Sequence, residues 1–129
     1  MATVLLLGCP DDYRGALPAS ARVRSSSDTE SPPATDEPVD LVVIGPHSSQ
    51  PTVVAQRAAR AYPGVDVLIA TPDSETRRVN ELLRITPFIP LRTALVSCER
   101  AEVLRSALHN AVVRCDFRRG HKQVLDKVQ

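Results

Sequence analysis

Tryptophan is absent from this 129-residue chain and aromatic residues make up only 3% of it, so it offers no platform on which single-stranded nucleic acid could stack. An excess of charge is lacking too. Sixteen basic and fifteen acidic residues leave a net charge of +1, which sets up no field to draw in nucleic acid or an anionic membrane. Five glycines are too few, and wrongly spaced, for a Walker loop or a dinucleotide fingerprint. Three cysteines, odd in number and far apart, do not make a disulfide framework. The opening MATVLLLG has no basic residues ahead of its apolar run, which is too short for a signal peptide and far too short to span a bilayer. Together these absences predict a cytoplasmic protein with neither a nucleic-acid nor a membrane partner.

What the chain has is a regular succession of short apolar runs. TVLLLG (3–8), DLVVIG (40–45), VDVLIAT (65–71) and RTALVS (92–97) read as strands. Three of them are continuous rather than alternating, as in strands covered on both faces. ARVRSSS (21–27) reads as a polar edge strand. Helical segments fall between the runs. DYRGALPAS makes only a short helix, broken by Pro18. PTVVAQRAARAY opens on Pro51, stops before Pro63-Gly64, and sets Val54, Ala58 and Ala61 on one face. SETRRVNELLRI has Asp73 or Ser74 to cap it and turns Val79, Leu82 and Leu83 inward. The last helix starts near Glu99 and carries Ala101, Leu104, Leu108, Ala111 and Cys115 at spacings of 3, 4, 3 and 4. Residues 25–38 are polar and proline-rich, so a helix there is shortened or missing. Strands alternating with helices imply right-handed βαβ units and a parallel sheet.

The strings PVDLVVIGP, AYPGVDVLIATPDSE and LRTALVSCERAEVLRSAL, at their spacings, resemble a response-regulator receiver domain over the central and C-terminal two-thirds of the chain. The resemblance implies a flavodoxin/receiver-like three-layer α/β sandwich with a five-stranded parallel sheet of order 2-1-3-4-5. Its functional edge would lie at the strand C-termini. On this reading residues 1–115 form the receiver-like domain and 116–129 a C-terminal helical extension or linker. Receiver chemistry needs an aspartate nucleophile and two acidic residues that hold Mg²⁺. A Thr or Ser and a Lys then read the new charge. Position by position, the resemblance is to a degenerate receiver. The phosphoacceptor position is Gly45, and Gly8-Cys9 stands where the acidic pair should follow the first strand. The lysine position is Ser97, followed by Cys98 where receivers usually carry Pro, and the aromatic switch position is Ala94. Only Thr71 matches. Asp11 and Asp12 lie near the missing pair, but a cation held there would still have no carboxylate at position 45 to work with. The resemblance thus implies a pseudo-receiver without the aspartyl-phosphate switch, with no catalytic residue, metal or cofactor.

Other chemistry has weaker support in the residues. CPDDYR (9–14) puts a cysteine at the end of the first strand with an arginine beyond, as phosphocarriers and low-molecular-weight phosphatases do. A tyrosine-phosphatase loop wants five residues between the two and then a hydroxyl; here there are four and then Gly15. Asp11 and Asp12 would also repel a phosphate. Zinc is not expected: His109, Cys115 and His121 are each six apart, which turns successive side chains by roughly 240°. His47 reads as a solvated loop histidine.

Receiver relatives commonly pair through the surface of the fourth helix, fifth strand and fifth helix, here about residues 74 to 115. The resemblance therefore implies a homodimer or a regulatory contact with another protein on that face. Val103, Leu104, Leu108, Ala111 and Val112 are its expected centre, since one helix cannot turn these and Val113 and Cys115 all toward its own sheet. Val124 and Val128 resume an apolar stripe beyond Gly120, which either kinks the helix or marks a connector. The expected function is a phosphorylation-independent protein-interaction or dimerisation module in bacterial-type two-component signalling. It would be the N-terminal part of a larger signalling protein such as a sensor kinase. Two alternatives stay open: a phosphocarrier or phosphatase-like enzyme using Cys9, and small-ligand sensing in the vacated pocket near Gly8, Gly45 and Thr71.

Overall fold

In the computed structural model, which describes residues 2–26, 30–33 and 37–128, each apolar run forms a rung of one parallel sheet. The strands are β1 (Thr3–Leu7), β2 (Arg22–Ser26), β3 (Leu41–Ile44), β4 (Asp66–Thr71) and β5 (Thr93–Ser97), in the order β2-β1-β3-β4-β5. The helices are α1 (Asp12–Ala16), α2 (Pro51–Ala61), α3 (Thr76–Ile85) and α4 (Ala101–Val128). The parallel sheet is the one the sequence pattern predicts, and its flavodoxin-like strand order is the one the resemblance implies. The register sets Leu7 beside Ile44, Ile44 beside Ile69, and Thr71 beside Ser97, so the strand C-termini share one edge.

Side-chain alternation divides the core between the two faces of the sheet. Val4, Leu6, Leu41, Val43, Leu68 and Ala70 pack with residues of α1 and α4. Leu5, Leu7, Val42, Ile44, Val67 and Ile69 pack with α2 and with Val79 of α3. Both faces are buried, which is why the runs are apolar without a break. Fully buried Leu7, Ile44 and Ile69 each contribute about 1.5–3 kcal/mol.

Several local expectations are corrected. Ala61 is exposed, because α2 ends there; Tyr62 turns into the core instead, and its hydroxyl donates to the Pro33 carbonyl. Neither Asp73 nor Ser74 caps α3. A single 3₁₀ turn (Asp73–Glu75) precedes the helix, and the Thr76 hydroxyl donates back to the Pro72 carbonyl at 3.3 Å. Leu82 and Leu83 are half-buried beside the buried Val79. Between β2 and β3 no helix occurs among the described residues, and residues 30–33 lie against α2. The Glu30 carboxylate accepts from the Ser49 backbone at 2.8 Å and hydroxyl at 3.1 Å, while Arg57 donates to the Glu30 carbonyl at 2.7 Å.

The largest correction concerns α4. Leu104, Leu108, Ala111, Val112 and Cys115 are all buried against the sheet, so four of the five residues of the predicted interaction face belong to the protein's own core. A helix lying across a sheet is covered over a wide arc, and Val112, one turn beyond Leu108, falls inside it. Of the five only Val103 is exposed, together with Val113 and Phe117 farther along. The helix runs unbroken through Gly120, whose absent side chain costs it roughly 1 kcal/mol against alanine. The helix is continuous across 115 and 116. Arg118 pairs with Asp66, which also accepts from Arg92 at 2.9 Å, and Arg119 pairs with Asp40 at 2.7 Å. The Asp40 carboxylate in turn accepts from the Thr3 backbone at 2.8 Å. The Val124, Val128 and His121 side chains lie outside what the structure describes.

Candidate functional site

The strand C-termini bring together all five positions singled out by sequence: Gly8 and Cys9 after β1, Gly45 after β3, Thr71 ending β4 and Ser97 ending β5. The space directly above Gly45 is filled by protein. Gly8 adopts φ +63, a left-handed turn open to glycine, and this folds the β1–α1 loop back over β3. The turn is pinned on both sides: the Gly45 N–H donates to the Leu7 carbonyl at 2.8 Å and the His47 N–H to the Gly8 carbonyl at 2.9 Å. Position 45 is thereby closed. A Cβ there would press on the Gly8 carbonyl oxygen and stand 2.6 Å from Cys9 Cα and 2.8 Å from Cys9 Sγ. The Cys9 sulfur occupies the space above Gly45, with its S–H 3.5 Å from the Leu7 and Val43 carbonyls.

Thr71 and Ser97 are turned to local duties. The buried Thr71 hydroxyl lies 3.5 Å from the Pro72 carbonyl, and Ser97 Oγ accepts from the Glu99 backbone at 3.2 Å. A cavity at this edge lies to the side, toward β2. It has about 420 Å³ and is bordered by Cys9, Asp11, Arg14, Ser25 and His47, with Arg14 donating to Ser25 Oγ at 3.0 Å. Asp11 and Arg14 oppose each other in charge there, so neither a phosphate nor a cation finds a uniform field.

The electrostatics argue against a nucleophilic cysteine. Burial pushes the Cys9 thiol up to about 12, outweighing the hydrogen bond to Leu7 that lowers it. Burial and the charge of Glu99 likewise push Cys98 up. Tyr13, buried beside both thiols, is shifted upward by the same desolvation. The thiolate is the reactive form, so Cys9 at pH 7 should alkylate on the order of a thousandfold more slowly than a free thiol. The rate should climb with pH through 9 and beyond without a plateau. Iodoacetamide labelling followed by peptide mass mapping reads this; rapid labelling at pH 6 would reinstate the phosphocarrier or phosphatase reading.

Among the described residues no three His, Cys, Asp or Glu side chains gather as a metal would require, and no helix is long and apolar enough to cross a membrane. Sequence reasoning missed the ion cluster at the opposite edge, where Asp40 and Asp66 meet Arg92, Arg118 and Arg119. Its signal was present: two aspartates each stand at the head of an apolar strand, and adjacent arginines sit where the last helix returns to them. No protein-family model matches the chain, and neither does any curated protein.

Proposed function

We propose that this chain is a receiver-like module that has given up phosphoryl transfer and works by binding protein, without an enzymatic step of its own. Bacterial-type two-component signalling is the setting its resemblance implies. The observation that carries the reading is the closure of position 45 by the Gly8–Cys9 backbone. The space in which an acceptor side chain would begin is taken up by protein. The same closure confines the ligand-sensing alternative to the side cavity bordered by Gly8 and Cys9.

Binding then falls to exposed surface. On α4 the side opposite the core presents Val103, Val113 and Phe117, a narrower apolar strip than the sequence predicts. Small strips support weak pairing. We expect self-association with a Kd on the order of 100 µM, about −5.5 kcal/mol. Two measurements test the reading. Acetyl phosphate with Mg²⁺ should leave the intact mass unchanged, and an adduct on Asp11, Asp12 or Asp40 would overturn the loss of phosphotransfer. Sedimentation velocity should show a dimer near millimolar concentration that charge at Val113 disperses; a wild type monomeric throughout would move the contact to a different protein.

A further inference from the structure

The segment ITPFIPL (85–91) joins α3 to β5 and holds apolar side chains out into solvent. Ile85, Phe88 and Leu91 are 76%, 82% and 102% exposed. Scattered apolar exposure is ordinary, but three large side chains within one seven-residue loop are a patch. Phe88 also sits at φ 61, the left-handed region that a bulky L-residue rarely adopts. Such a conformation persists only where its surroundings over-determine it. The anchors are visible on both sides. Gln56 of α2 donates to the Pro87 carbonyl at 2.9 Å, the Thr86 hydroxyl donates to Leu82 at 2.6 Å, and the Thr93 hydroxyl donates to Pro90 at 2.7 Å. The loop is tied down on either side of an aromatic ring that faces outward.

Between this loop and α2 lie two adjoining hollows that share Ala59. One, of about 310 Å³, is bordered by Arg60 and Phe88; the other, of about 240 Å³, by Val65, Leu91 and Arg92. The charged residues bordering them are both arginines, with no carboxylate. Asp66 behind Arg92 is shared with Arg118, so one buried carboxylate faces two guanidiniums and a positive charge is left over. An apolar groove with cationic walls selects its opposite.

We propose that this groove docks an acidic segment of another protein, whose leucine- or phenylalanine-like side chains enter the hollows while its carboxylates meet Arg60 and Arg92. The proposal rests on the reading of the chain as a binding module and gives it a second surface, distinct from the outer side of α4. A second copy of this chain is disfavoured here, because pairing the face with itself would set arginine against arginine.

The test is an NMR titration of the ¹⁵N-labelled full chain with a synthetic acetylated peptide of glutamates interleaved with leucine and phenylalanine. The control peptide has lysine at every glutamate. Shifts should concentrate at Ala59, Arg60 and residues 88–92, be absent with the lysine peptide, and weaken about tenfold in Arg60→Glu. Phe88→Gly relieves the positive φ, so its melting temperature should match or exceed the wild type while the peptide shifts vanish. That separates lost docking from lost folding. No shift at millimolar acidic peptide, equal shifts with the lysine peptide, or undiminished binding by Phe88→Gly overturns the proposal. So does wild-type self-association that Phe88→Gly abolishes, since a second copy would then occupy the groove. Intact peptide binding alongside a phosphoryl adduct would overturn only the earlier reading.

Discussion

Gly45→Asp, the substitution that would supply the missing phosphoacceptor, is expected to unfold the protein rather than arm it. Its Cβ alone would overlap the Gly8 carbonyl oxygen and Cys9 Cα, both backbone atoms, as well as Cys9 Sγ. Those backbone atoms are fixed by the hydrogen bonds of Leu7 and Gly8 to Gly45 and His47. Overpacking of this kind costs about 1–3 kcal/mol. A carboxylate buried among carbonyls with no cation adds a desolvation cost of similar or larger size. The sum, about 4 kcal/mol or more, is a large part of the roughly 5–15 kcal/mol that holds a domain folded. Urea unfolding monitored by circular dichroism measures it. Gly45→Ala should show the steric share alone, and adding Cys9→Gly should not rescue it, because two of the three contacts are main chain. A Gly45→Asp protein that melts like the wild type and takes a phosphoryl group would show that the loop opens, against this account.

Val112→Glu and Val113→Glu, one residue apart, should behave as opposites. Val112 is 0% exposed and packs with Leu108, Ala111 and the sheet, whereas Val113 is 50% exposed. Placing glutamate at 112 buries an unpaired charge and should cost about 3–5 kcal/mol, enough to leave much of the chain unfolded. At 113 the change should stay within about 0.5 kcal/mol, and its effect should be on association only. Thermal melts beside sedimentation velocity separate the two. Equal melts for the pair would mean that α4 is rotated from the position described.

That contrast marks where sequence reading stops. The strands were legible because a parallel sheet buried on both faces needs unbroken apolar runs, and the polar β2 was legible as an edge because Arg22 and Arg24 could not be buried. The stripe through Leu104, Leu108, Ala111 and Cys115 was legible from its spacing. The width of the arc around it was not, since it depends on how closely the helix lies on the sheet, and Val112 was misplaced for that reason. At the site, the missing side chain of Gly45 was plain. Why glycine is required there was hidden, because the cause is the approach of Gly8 and Cys9, more than thirty residues earlier. The partners of Asp40 and Asp66 were hidden as well, because Arg118 and Arg119 meet them only once the last helix has crossed the sheet.

The anchoring of α4 sets a direction as well as a contact. Arg118 and Arg119 are neighbours on a helix and so project about 100° apart. Each reaches a different strand, one to Asp66 at the head of β4 and the other to Asp40 beside β3. Two bonds at different azimuths stop a rod from rolling, and the buried Leu104 and Leu108 stop it from sliding. The helix, about 42 Å long at 28 residues, is therefore fixed in rotation as well as in place. Deleting one residue after Arg119 would turn the rest of the helix by the same 100° or so, and shorten it by about 1.5 Å. Two ion pairs thus fix the angular phase of α4 as well as its position.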